Sequence, residues 1–131
     1  TTYTYSNICM HSQPFTKELL ELLNRIQTTD LNAYNSVLLN QYRDGKDSNG
    51  WHADDEPELG INPPIASISL GGERYFQFKH RTKEKERYKI KLGHGSLLVM
   101  KGEFQHHWLH QIPKTTKKIN SRINLTFRKL N

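Results

Sequence analysis

Seven strand-length runs, separated by glycine and proline, leave this chain few ways to fold. Residues 1–6 alternate Thr and Tyr, which suits an edge strand. Residues 36–42, 65–70, 75–79, 87–92, 95–100 and 122–128 are rich in aliphatic, β-branched and aromatic side chains. Asp44-Gly45, Asn49-Gly50, Asn62-Pro63-Pro64 and Gly71-Gly72 punctuate them with turn chemistry. Short strands at such spacing predict a sandwich or barrel. One helix is expected after Pro14, with Thr16 as N-cap and Glu18 and Glu21 near its positive end. Leu19, Leu20, Leu23 and Ile26 would be its apolar stripe, packed on a sheet. The fold class is therefore mainly β with one or two helices. At 131 residues the chain makes one domain, 1–131.

The charge balance narrows the partners. Lys and Arg number 19 against 13 acids, a net +6, which favours an anionic partner, nucleic acid first, over a merely basic surface. Seven cations (Lys79, Arg81, Lys83, Lys85, Arg87, Lys89, Lys91) cluster in one loop and edge strand. They suit a phosphate backbone or, equally, an edge charged against strand pairing. Cys9 is the single cysteine, so no intramolecular disulfide forms and a reducing compartment, cytoplasmic or nuclear, is expected. No apolar run is long enough to span a membrane, and no signal-peptide pattern opens the sequence.

Two constellations carry chemistry. His52-x-Asp54 puts an imidazole and a carboxylate on one face of an extended segment. A catalytic metal needs a third ligand, and His110 is the best candidate in a stretch that also offers His106 and His107. Two His and one Asp leave positions open, as in non-haem Fe(II) oxygenases. Arg122, Asn124 and Arg128 share one face of the last strand, with Ile123, Leu125 and Phe127 on the other. Two guanidiniums facing inward need an anion: a dicarboxylate, or structural salt bridges to Asp54 or Asp55. Asn40 and Tyr42 show the same spacing on another strand.

In order along the chain, Asn40-x-Tyr42, His52-x-Asp54-Asp55-Glu56, His94-Gly95, His110 and Arg122-x-Asn124-x-x-x-Arg128 resemble the AlkB-type Fe(II)/2-oxoglutarate dioxygenases. The resemblance runs from Tyr3-x-Tyr5-Ser6 to Lys129 and is closest in residues 65–71 and 122–128. It implies a double-stranded β-helix (jelly-roll) core and, as cofactors, Fe(II) and 2-oxoglutarate. His52, Asp54 and His110 would ligate the metal. Arg122 would grip the far carboxylate of 2-oxoglutarate, with Tyr42 and Asn124 assisting. Arg128 and Asn40 would sit nearer the metal, Arg128 also orienting Asp54. Glu56 and Asp55 would meet the target base, with Tyr3 and Tyr5 near the substrate strand. The reaction implied is oxidative demethylation of bases such as 1-methyladenine and 3-methylcytosine in DNA or RNA, by a monomer. It would release succinate, carbon dioxide and formaldehyde.

One departure stands out. Family members carry a lid upstream of the Tyr-x-Tyr that stacks on the flipped base, and almost nothing precedes Tyr3 here. The expectation is a trimmed chain, or a short catalytic core with a weak grip on nucleotide. Rival readings are an oxygenase of proteins or small molecules, a non-catalytic basic binding domain and a zinc hydrolase. The last leaves Arg122 and Arg128 without a purpose.

Overall fold

A computed structural model of the protein describes the backbone of residues 2–5, 8–13, 17–30 and 32–130 and the side chains of 17–28 and 32–130. Among these, ten strands form two antiparallel sheets. The larger has the order β1 (Thr2–Tyr5), β2 (Ile8–Gln13), β3 (Ser36–Tyr42), β10 (Arg122–Arg128), β5 (Ile65–Gly71) and β8 (Ser96–Met100). The smaller has the order β4 (Asn49–His52), β9 (Trp108–Ile112), β6 (Arg74–His80) and β7 (Arg87–Leu92). From β3 onward the chain passes back and forth between the sheets, which is the expected jelly-roll.

Period-two patterning in β10 builds two cores at once. Leu125 and Phe127 face the helix α1 (Lys17–Asp30), where Leu23 and Ile26 meet Val37, Ala66 and Ile68. A second cluster (Tyr42, Ile65, Phe76, Leu92, Met100 and Ile112) fills the space between the sheets beside the polar face of β10. The helix stripe is rotated from expectation. Leu22 packs against the core with Leu19, whereas Leu20 is left 45% exposed. Four leucines crowded into residues 19–23 leave the phase of a 3.6-residue period ambiguous by one position. The Thr16 cap lies outside the described residues.

Strands β2, β4 and β9 were not anticipated. Asn49-Gly50, read as a turn, lies inside β4, where the pairing with β9 slips between Asn49 and His52. Such a bulge turns both Asn49 and His52 inward although they are three apart. At the other end of the sandwich, a Cβ on Gly72 would lie 2.1 Å from the Asn120 carbonyl. Only glycine lets this connection cross beneath the start of β10, where the Gly72 N–H donates to Ser121 O at 3.0 Å. Among the described residues, no helix is long and apolar enough to cross a membrane.

Candidate active site

Strand β10 lies between β3 and β5, and its register fixes the site. Arg122 sits opposite Tyr42 and Asn124 opposite Asn40. Arg122, Asn124 and Arg128 therefore share one cleft between the sheets with Asn40 and Tyr42, as their spacing predicted.

The far end of the cleft is cationic. Arg122 is 2% exposed, and its Nη2 donates to Ser69 Oγ at 2.9 Å. Its guanidinium lies 4.9 Å from the centre of the Tyr42 ring, and Arg74 flanks the same ring at 5.5 Å. Arg74 is itself pinned by the carbonyls of Asp44, Asp47 and Pro113. Burial lowers the affinity of Arg122 for its proton and raises that of the Tyr42 phenol, the latter shift opposed by Arg122. Among the described residues, Nε and Nη1 of Arg122, buried, meet no hydrogen-bond partner and no carboxylate pairs with Arg122. A buried cation so left calls for an anion. A dicarboxylate fits this donor set.

The near end gathers the three predicted ligands. One donor atom each of His52, Asp54 and His110 lie within 4.8 Å of one another. His52 Nδ1–H donates to Gly50 O at 2.5 Å, which fixes the tautomer and leaves Nε2 for a metal. Arg128 Nη2 donates to Asp54 Oδ1 at 3.2 Å, and Asp54 Oδ2 lies 3.8 Å from His110 Nε2. Phe76 stacks on His110, with ring centres 5.2 Å apart. Burial alone would push the Asp54 carboxyl up, but its charged surroundings, the Arg128 guanidinium foremost, hold it below the usual range. Burial drives His52 down and His110 down to about 3, so both imidazoles are neutral, as metal ligands must be.

The Arg128–Asp54 pair realises one of the salt bridges weighed from sequence; Arg122 makes none among the described residues. Among the described residues, Nε and Nη1 of Arg128 and Oδ1 of Asn40 are also buried without hydrogen-bond partners. Asn124 behaves differently from expectation. Its Nδ2 donates to Ser67 Oγ (2.6 Å) and Ile68 O (3.1 Å), and its Oδ1 accepts from Thr126 Oγ1 at 2.6 Å. The amide is engaged by neighbours, so it props the cleft wall.

Glu56, half-buried, lies close enough to Asp54 and Arg128 to feel their charges, and burial raises its carboxyl pKa. Asp55 is turned outward, within 3.3 Å of Arg81 Nη2. The side chains of Tyr3 and Tyr5 lie outside those described. His106 and His107 sit on α2 (Phe104–His107), apart from the trio, with His107 paired to Glu103. Gln105 was missed. Its Oε1 accepts from Asp54 N at 2.8 Å and lies 3.1 Å from His110 Nε2, bridging two of the three ligands. No periodicity marks a lone amide in that stretch; its two neighbouring histidines drew attention instead.

Residues 1–128 match the model of the 2OG-Fe(II) oxygenase superfamily. The chain is 44% identical over 135 residues to alpha-ketoglutarate-dependent dioxygenase alkB homolog 3 of Homo sapiens, covering 96% of this chain and 47% of that protein. It is 38% identical over 136 residues to DNA oxidative demethylase ALKBH2 of Bos taurus, covering 98% and 49%. The chain thus spans about half the length of these relatives. The solved structure of OsALKBH1 superposes with a TM-score of 0.69 at 18% identity, over 98% of this chain and 84% of that one. It shares the fold.

Proposed function

The chain belongs to the 2OG-Fe(II) oxygenase superfamily, in its AlkB branch, and from that premise we propose that it demethylates N-alkylated bases in DNA or RNA. The observation that carries the reading is the pairing of a His-Asp-His trio, with Asp54 and His110 buried and His52 partly so, with a buried arginine that has no carboxylate partner among the described residues. A zinc hydrolase would need the first and leave the second unexplained. Fe(II) with 2-oxoglutarate and dioxygen supplies hydroxylation of the N-methyl carbon, after which formaldehyde leaves and succinate and carbon dioxide remain.

The protein's part is binding and orientation. His52 Nε2, Asp54 Oδ2 and His110 hold the metal. Arg128 keeps Asp54 Oδ1 engaged, so the carboxylate offers one oxygen rather than two. Arg122 takes the far carboxylate of 2-oxoglutarate in a fork, aided by Ser69 and the Tyr42 hydroxyl. Arg128 and Asn40 meet the end nearer the metal, and Asn124 keeps the wall in register. Glu56, whose Oε2 is buried without a hydrogen-bond partner among the described residues, faces the amino edge of the base. Asp55, Tyr3 and Tyr5 contact the substrate strand. On this reading residues 1–131 form one catalytic domain, active as a monomer in the cytoplasm or nucleus.

The test is succinate formation from 2-oxoglutarate with Fe(II), with and without an oligonucleotide carrying 1-methyladenine, the methyl group followed by mass. Methyl loss coupled to succinate is the expected result. Succinate without methyl loss moves the substrate to protein or a small molecule. No succinate from folded, iron-loaded protein sinks the enzyme.

A further inference from the structure

The outer face of the smaller sheet is unlike its inner face and is used by nothing above. Phe76 and Phe78 turn inward on β6, so Tyr75, Gln77 and Lys79 turn outward, opposite Lys91, Lys89 and Arg87 of β7. At the far edge, Trp51 of β4 is 36% exposed on this same face, with Lys79 Nζ 4.3 Å from its ring centre. Lys89 and Lys91 lie 4.8 and 5.5 Å from the centre of the Tyr75 ring. A shallow groove of about 300 Å³ beside Trp51 is lined by Gln77, Phe78, Arg87, Tyr88 and Lys89. No acid takes an outward position on these strands. Glu73 and Glu86 lie in the connections beyond opposite ends of β6 and β7, and Glu86 is engaged by the Tyr88 hydroxyl.

An edge charged against strand pairing explains the cations of β7. It does not explain Lys79 on the inner strand β6, or an exposed indole on β4 across the sheet. We propose that this face is a second nucleic-acid surface, which holds a single strand by backbone and base stacking, without regard to sequence. It is distinct from the cleft on the sheet's other side. The inference takes its partner class from the function proposed above; its geometry is independent of that reading. The lysines now over the rings do not block the use. An exposed cation–π contact contributes about 0.5–1 kcal/mol, and a base stacked on an aromatic ring about 1–3 kcal/mol. A base therefore displaces the ammonium, which is released toward a phosphate. A duplex keeps its bases stacked on one another and has no use for Trp51 and Tyr75.

The experiment follows the anisotropy of an unmodified, labelled single-stranded DNA of about 20 nucleotides, long enough to cover a platform of this kind. Wild type is compared with the triple variant Arg87→Glu, Lys89→Glu, Lys91→Glu, whose fold is checked by circular dichroism and by metal binding. Wild type is expected to bind and to quench the Trp51 emission that Trp51→Phe lacks. The triple variant should bind at least 10-fold more weakly, with a salt slope shallower by about 2, since each phosphate of a single strand that is no longer neutralised lowers the slope by about 0.7. Its removal of methyl from a methylated trinucleotide should match wild type. Equal binding by the triple variant overturns the proposal, as does failure of wild type to bind, even if methyl loss is seen. Tighter binding of the same sequence as a duplex overturns the single-strand assignment. If no substrate loses methyl yet the triple variant loses DNA, the demethylase reading fails and the surface stands.

Discussion

Arg122 is the residue whose substitution separates a binding role from a structural one. It is buried beside Tyr42 and Ser69 with no acid paired to it among the described residues, so its charge does little for the fold itself. Arg122→Met is expected to raise the KM for 2-oxoglutarate about 10- to 100-fold, the range a charged hydrogen bond commands. The same change should leave the Tm of ligand-free protein unchanged or higher. A Tm several degrees lower with an unchanged KM would make Arg122 a structural residue. Asp54 is the opposite case, because removing it strands Arg128. Asp54→Ala should abolish metal binding and also lower stability by about 3–5 kcal/mol, read by urea denaturation; loss of metal with an unchanged midpoint would contradict the pairing. His110 carries a pH dependence of definite sign. Its folded pKa of about 3 lies below the 6.5 of an ordinary histidine, so the unfolded chain takes up the proton first. Stability present above pH 6.5 is then lost as the pH falls toward 3. His52 shifts the same way, while Asp54, whose folded pKa is lowered, keeps its contribution above 3.8 and loses it only as the pH falls below that. Metal-free protein should lose about 1–2 kcal/mol between pH 7 and pH 5. Identical urea midpoints at the two values would refute the burial account.

Among the elements, β10 and β3 were legible because alternation is rigid. Once Arg122 and Arg128 are six apart in a strand, one face must hold both. The site's outline followed from that, and so did the apolar backing of Ile123, Leu125 and Phe127. Strands β4 and β9 were not legible. One bends through a bulge, and the other turns His110 into the cleft, so a polar residue breaks the apolar signal. The short helix α2 was hidden for a related reason, and with it Gln105, whose value lies in where it points. Gln105→Leu removes the acceptor for Asp54 N and the contact to His110 Nε2. Metal affinity should fall about 10- to 100-fold, as for other outer partners of metal ligands. Titration with Fe(II) under nitrogen, or with Co(II) as a spectroscopic substitute, measures it. Unchanged affinity would reduce Gln105 to a packing residue.

For the whole molecule, the two cores divide stability from chemistry. Phe127 is fully buried between α1 and the large sheet, and Phe76 lies between the sheets against His110. Phe127→Ala should destabilise by about 3–5 kcal/mol while metal and co-substrate affinities at about 10 °C, where stability is near its maximum, stay at wild-type values. Phe76→Ala should disturb both. If the two variants shift the same quantities together, the cores are not separable. The same architecture has a consequence for synthesis. The strand at the heart of the large sheet, β10, is the last of the ten to leave the ribosome, yet β3 and β5 both await it as their common neighbour. Until it arrives, their inner edges stay open and the helix has only part of its floor. The nascent chain thus exposes hydrogen-bonding edges for most of its translation, a period in which chaperones are its natural company. Folding and the gain of the anion pocket then coincide, because one strand completes both.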